Sequence, residues 1–173
     1  CIRDSPDTVL DQAPPDGMEP DLLLREFFAA SANPTGNFEV ARKYLTQEMG
    51  KEWKPSESTI VLDTFEMTSS ATVEPNKRAY VVTGRIIGTL QPGGAFTPAH
   101  RGYEATMELT QENGQWRVSN LPNDVVVDRT DLRNHYEPRN LYFYDSTGQR
   151  LVADRRWVFS RTNSIGSVSY THL

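Results

Sequence analysis

Cysteine occurs once in the 173 residues, at position 1. A thiol and an amino group on the same terminal residue have a well-defined chemistry. In processed bacterial lipoproteins a signal peptidase cuts before such a cysteine, and its sulfur and nitrogen take up acyl chains such as palmitate. Each buried CH₂ adds about 0.8 kcal/mol of membrane affinity, and two chains hold a protein far longer than one. A lone cysteine forms no intramolecular disulfide and no thiolate metal cluster. The expectation at Cys1 is therefore lipidation, not redox chemistry.

Other residues with chemical potential are dispersed. His100 sits in a proline- and glycine-flanked loop (TPAHRG), His135 in a charged segment, and His172 near the end, so all three read as surface histidines. Four acids fall on strand patterns: Asp63, Glu66, Glu104 and Glu108. Glu104 and Glu108 share parity with Thr106, opposite to Ala105, Met107 and Leu109, and so face solvent. Asp63 interrupts the apolar run Val61-Leu62-Asp63-Thr64-Phe65, where a solvated strand face is the plainer reading. An open pocket inside the sheet would instead be lined by Asp63, Tyr80 or Tyr103. Glycine-rich phosphate loops, a nucleophile elbow and metal-ligand spacings are missing, and Gly93-Gly94 is a turn. The expectation is a protein that is not an enzyme and carries no cofactor or metal. Trp53, Trp116 and Trp157 read as packing anchors, with Trp157 and Phe143 expected at a domain interface.

The elements that must position these residues follow from pattern. A net charge of −5 argues against a nucleic-acid surface, and no run of 18 apolar residues exists. Residues 2–18 hold three prolines, one glycine and four aspartates, the composition of a flexible tether spanning on the order of 20–25 Å. Glu19-Pro20-Asp21 opens a helix over 20–32, with Leu23, Leu24, Phe27 and Phe28 on one face. Asn33-Pro34-Thr35-Gly36 ends it, Asn37 caps a second helix carrying Phe38, Ala41, Tyr44 and Leu45, and a short turn runs into Trp53. Strand patterns then cover 59–66, 70–74, 78–90, 103–111 and 116–121, with Gly84 and Gly88 marking bulges or curvature. Val125-Val126-Val127 is a short extended piece, and one or two helical turns over 128–136 are capped by Asp128 or Thr130. Asp145-Ser146-Thr147-Gly148 joins a second, aromatic hairpin too short to enclose a core. The last residues, SVSYTHL, look like translated adapter sequence, so the native chain is expected to continue beyond it. Two helices followed by a bent antiparallel meander make the class α+β.

In order along the chain, the landmarks resemble the N-terminal region of LpqB-type lipoproteins of actinobacteria. They are Cys1 with its Pro/Asp-rich tether, Phe27–Ala32, Ala41–Thr46 leading into Trp53-Lys54-Pro55, Gly84–Leu90, Gly114–Val118 with Leu121-Pro122, Leu141–Asp145 and Leu151–Trp157. Where the family pattern often has glycine after Leu-Pro, Asn123-Asp124 stands here. The resemblance implies a three-part protein: this domain, a GerMN domain and a propeller-like domain. On that basis residues 1–18 are anchor and tether, and 19–136 form a domain similar to the cone-like nuclear-transport-factor-2 (NTF2) fold. Residues 137–161 begin the GerMN part, and 162–173 are an unstructured tail. It further implies an accessory protein held by acylated Cys1 on the extracytoplasmic face of the cell membrane. Its expected partners are the extracytoplasmic domain of a two-component sensor histidine kinase and its own downstream domains, with no nucleic acid. The alternative is a small-ligand-binding or catalytic cone.

Overall fold

A computed structural model describes residues 13–72 and 74–160; Cys1, His172 and the remainder of the two ends lie outside it. Pro20 supplies the first helical position of α1 (Pro20–Ala30), where its missing N–H costs nothing and Asp21 sits in the favourable first turn. Leu23, Leu24, Phe27 and Phe28 are buried on one face, and the Ser31 hydroxyl donates to the Phe27 carbonyl at 2.8 Å as the helix ends. The next helix, α2 (Thr35–Arg42), does not begin as the capping residues suggest. Gly36, Asn37 and Phe38 all have positive φ (62°, 56° and 61°), so Asn37 is part of a left-handed turn and caps nothing. Such a backbone costs roughly 1–2 kcal/mol for each non-glycine residue. Two contacts offset it: the Phe38 ring packs 5.7 Å from Trp53, and Arg42 Nε donates to the Asn37 carbonyl at 2.8 Å. In place of the expected turn there is a third helix, α3 (Gln47–Glu52), with the Thr46 hydroxyl accepting from Met49 N–H at 3.2 Å.

Five strands come next: β1 (Thr59–Ser70), β2 (Lys77–Leu90), β3 (Phe96–Glu112), β4 (Gln115–Asn120) and β5 (Val125–Asp128). They form one curled sheet in the order β4-β3-β2-β1-β5. Neighbours are antiparallel except β5, which runs parallel to β1 with Val125 opposite Thr59. The sheet is thus mixed: β1–β4 are the expected antiparallel meander, and Val125–Val127, expected only as a short extended piece, adds a parallel edge strand. Three consecutive valines explain it: Val125, Val126 and Val127 are all buried, the pattern of a strand covered on both faces.

The curl is written into the register. Between Leu62 and Phe65, β1 places two residues against the single Arg85 of β2, and β2 and β3 slip again between Ile86 and Gly88. Gly84 and Gly88 sit at these irregularities. A Cβ on Gly84 would lie 2.8 Å from the Thr64 carbonyl, and one on Gly88 would collide with the outer carbons of the Phe96 ring.

Two apolar clusters result. The main core joins the α1 face to Trp53 and to Leu62, Tyr80, Val82, Tyr103, Met107, Leu109 and Val118. A second cluster gathers Ala32, Val61, Leu90, Val127 and Leu132 with Tyr136. Leu132 lies on α4 (Arg129–His135), whose N-terminus is capped by Asp128 Oδ1 accepting from Asp131 N–H at 2.7 Å. From Tyr136 the chain enters a separate two-stranded sheet, β6 (Tyr136–Tyr144) and β7 (Leu151–Phe159). Layered helices on a sheet with a small hairpin make the protein α+β.

Candidate functional site

The three residues expected to line a pocket do not converge. Tyr80 and Tyr103 are both buried in the main core, while Asp63, in the β1 bulge, pairs with Arg129 of α4 at 2.7 Å. That pair is partly exposed, and such bridges are worth about 0–1 kcal/mol. Burial pushes the Tyr103 hydroxyl up to about 12, with Asp124 adding to it. The hydroxyl has no hydrogen-bond partner among the described residues. Tyr80 is raised by burial and by Asp21, with Arg78 opposing. The recess between Thr46 and Glu112, the one between Phe38 and Trp157 and the one between Thr72 and Glu108 include neither Asp63 nor Tyr80 nor Tyr103 in their walls.

Glu66, Glu104, Glu108 and His100 are exposed. His135 is partly buried at the end of α4, its Nδ1 2.9 Å from the Asp131 carbonyl and its ring parallel to Phe159 at 6.5 Å. Burial and then Asp128 raise the Asp131 carboxyl above its ordinary value. Trp53 is packed in the main core, and Trp116, half-buried, lies under the Arg78 guanidinium.

Trp157 and Phe143 lie at the two ends of one hairpin. The base of that hairpin docks on the domain: Tyr136 is buried in the second cluster, with Trp157 and Phe159 packed against it. Trp157 N–H donates to the Gly94 carbonyl at 2.8 Å, and Ala95 bridges Arg156. Gly94 has φ +87°, and a Cβ there would collide with the Trp157 carbonyl, so only glycine allows this approach. The Gly93-Gly94 pair is legible in the sequence as a turn, but its role as the hairpin's seat is not. Beside it lies a recess of about 540 Å³ walled in part by Pro34, Phe38, Pro92, Tyr136 and Trp157.

Away from the base the hairpin is bare. Tyr142, Phe143 and Tyr144 are 62%, 53% and 69% exposed, and Leu151 and Val152 opposite them 60% and 53%. Contiguous exposed apolar surface of this kind marks an interaction site. The turn beyond it is firmly made: Asp145 Oδ1 accepts from the Thr147 hydroxyl and from the N–H groups of Thr147, Gln149 and Arg150. Those bonds, the Thr147 hydroxyl foremost, hold the Asp145 carboxyl below its ordinary value.

Comparison with protein families matches residues 13–133 to the N-terminal domain of lipoprotein LpqB. The chain belongs to the LpqB lipoprotein family. It is 44% identical over 148 residues to lipoprotein LpqB of Corynebacterium diphtheriae, covering 86% of this chain and 26% of that protein. With lipoprotein LpqB of Rhodococcus opacus it shares 35% identity over 165 residues, 95% of this chain and 27% of the relative. The match to lipoprotein LpqB of Mycobacterium bovis is 33% over 147 residues, covering 84% and 25%. The chain thus spans about a quarter of the length of these relatives. No solved structure matches. Among the described residues no helix is long and apolar enough to cross a membrane.

Proposed function

We propose that this LpqB-type domain is a lipid-anchored accessory module on the extracytoplasmic face of the cell membrane, where it modulates a two-component sensor kinase and performs no catalysis. The observation that carries the reading is membership of a family whose relatives are named lipoproteins, in a chain with its single cysteine at position 1. Acylated Cys1 and the Pro/Asp-rich segment behind it turn a three-dimensional search for a membrane partner into a two-dimensional one. A GerMN domain and a further domain follow in this reading, continuing from the hairpin. Packing also favours an interaction module over the competing ligand-binding or catalytic cone. The inner face of the sheet is filled by Leu23, Leu24, Phe27 and Trp53 against Leu62, Met107 and Leu109.

The test is localisation together with capture. A Cys1→Ala variant of the full-length lipoprotein is expected to fold and appear in the medium or the soluble envelope fraction. It should still retain the purified extracytoplasmic domain of the kinase on a column. Membrane retention of the variant overturns the anchor, and failure to retain the kinase domain overturns the partner.

A further inference from the structure

The recess beside the Gly94 seat is assembled from segments far apart in the chain, chiefly the turn that opens α2, the β2–β3 turn and the base of the hairpin. Its volume of about 540 Å³ is that of a small-molecule site. Asp63, Tyr80 and Tyr103 take no part in it, so the filled interior of the sheet leaves it free. Phe38, Tyr136 and Trp157 give its wall ring surface, and Asn37, Glu57 and Gln91 give it polar side chains. Those three polar side chains have no hydrogen-bond or ion-pair partner among the described residues. No residue of the wall is Lys, Arg or His. Arg156 comes near, its Nη1 3.7 Å from where a Cβ on Gly93 would sit, but Asp154 holds its guanidinium at 2.6 Å.

The wall is set before any ligand arrives. Asn37 and Phe38 have φ of 56° and 61°, and a bulky residue at positive φ is a genuine outlier. Strain of this kind concentrates at ligand clamps, where the surrounding structure maintains it. Here the Phe38 ring on Trp53 and the Arg42 bond to the Asn37 carbonyl maintain it, and one strained turn delivers both an amide and a ring to the recess. At the β2–β3 turn, the Trp157 N–H bond to the Gly94 carbonyl ties the strand that carries the indole to the sheet domain. A site formed in advance loses less conformational freedom on binding.

We propose that this recess binds a short neutral oligosaccharide. The composition of the wall selects that class. An anion would meet the Glu57 carboxylate and no cation, and a hydrocarbon would desolvate Asn37, Glu57 and Gln91 without pairing them. A multiply charged cation would face a single acid. A sugar ring instead presents C–H groups on its face, which lie against aromatic surface, and a rim of hydroxyls that both donate and accept. The amides of Asn37 and Gln91 also do both, and Glu57 accepts. The proposal depends neither on acylation of Cys1 nor on the kinase.

Calorimetric titration and hydrogen exchange on the full-length lipoprotein test it, with chitotetraose and maltotetraose as neutral probes. Glucose 6-phosphate and a proline-rich peptide bearing one arginine serve as competing classes, since aromatic grooves also take such peptides. At least one of the two saccharides is expected to bind with a dissociation constant below about 1 mM and to slow exchange at 36–38, 91–94 and 157–159. The variant Asn37→Gly with Gln91→Ala removes both amides, and glycine adopts φ 56° freely, so the turn is kept. It should bind roughly tenfold more weakly, with exchange in β2 around Tyr80 unchanged. Absence of saccharide binding at about 10 mM overturns the proposal, as does undiminished binding by the double variant. Preferential binding of the peptide or of glucose 6-phosphate overturns it too, and assigns the recess to the other class.

Discussion

Tyr103 carries the most informative single group in the domain: a phenolic hydroxyl in the core, 8% exposed as a residue and without a partner among the described residues. A buried donor left unpaired costs roughly 1–3 kcal/mol, and removing it without changing shape is neutral to stabilising. Tyr103→Phe is therefore expected to raise unfolding free energy at pH 7 by about 1 kcal/mol, read as a shift in denaturation midpoint. The pH dependence has a definite sign. Folded Tyr103 is pushed up to about 12 from an ordinary value of 10.0, so between those limits the native state holds a proton that the unfolded state has released. Its contribution is complete below pH 10 and is lost as pH rises toward 12. Tyr136, raised by burial to about 12, acts in the same direction. Between about pH 9.5 and 11.5 the Tyr103→Phe protein should lose stability less steeply than the parent. Parallel slopes would show that the tyrosine is not protonated by burial.

The elements are legible where one periodicity dominates and obscure where packing comes from several sides. β3 alternates so regularly that the exposure of Glu104, Thr106 and Glu108 opposite Tyr103, Met107 and Leu109 follows from sequence alone. The glycines of β2 announce curvature, and both lie beside register slips. By contrast α3 buries none of its six residues, so it leaves no apolar stripe to read and exists through its Thr46 cap. The parallel pairing of β5 is hidden because an uninterrupted valine run has no period. The left-handed turn at Gly36–Phe38 is braced by the Phe38 ring on Trp53, in a later element, and by Arg42 reaching back to the Asn37 carbonyl, contacts that no periodicity announces. A substitution tests whether the bulges demand glycine. Gly84→Ala aims a methyl at the Thr64 carbonyl, a backbone atom with little freedom to move. We expect a loss of about 1–3 kcal/mol, the usual cost of overpacking, measured by urea denaturation. An unchanged midpoint would mean that the bulge can relax.

For the whole molecule, the question is how the hairpin is coupled to the sheet domain. The sequence marks Trp157 and Phe143 as interface residues and the hairpin as lacking its own core. It carries no sign of the Gly94 seat, because that contact joins a turn and a strand about 60 residues apart through backbone atoms that have no side-chain signature. The seat is small: the backbone bridge of Ala95 with Arg156, which includes the Trp157 N–H bond to Gly94, and the packing of Trp157 and Phe159 on the second cluster. The sheet domain has its own larger core, so the two should open separately, as cooperative units of unequal stability do. Gly94→Ala both strains a residue at φ +87° and drives a methyl into the Trp157 carbonyl. The expected result is a domain that keeps its main unfolding transition while tryptophan emission shifts to the red, because Trp157 leaves its half-buried position and Trp53 stays in the core. Hydrogen exchange should accelerate across Tyr136–Phe159 and remain slow in β2 and β3. If Gly94→Ala instead lowers the main transition as much as Gly84→Ala does, hairpin and sheet fold as one unit, and the hairpin is a structural part of the domain, not a device for joining it to a downstream chain.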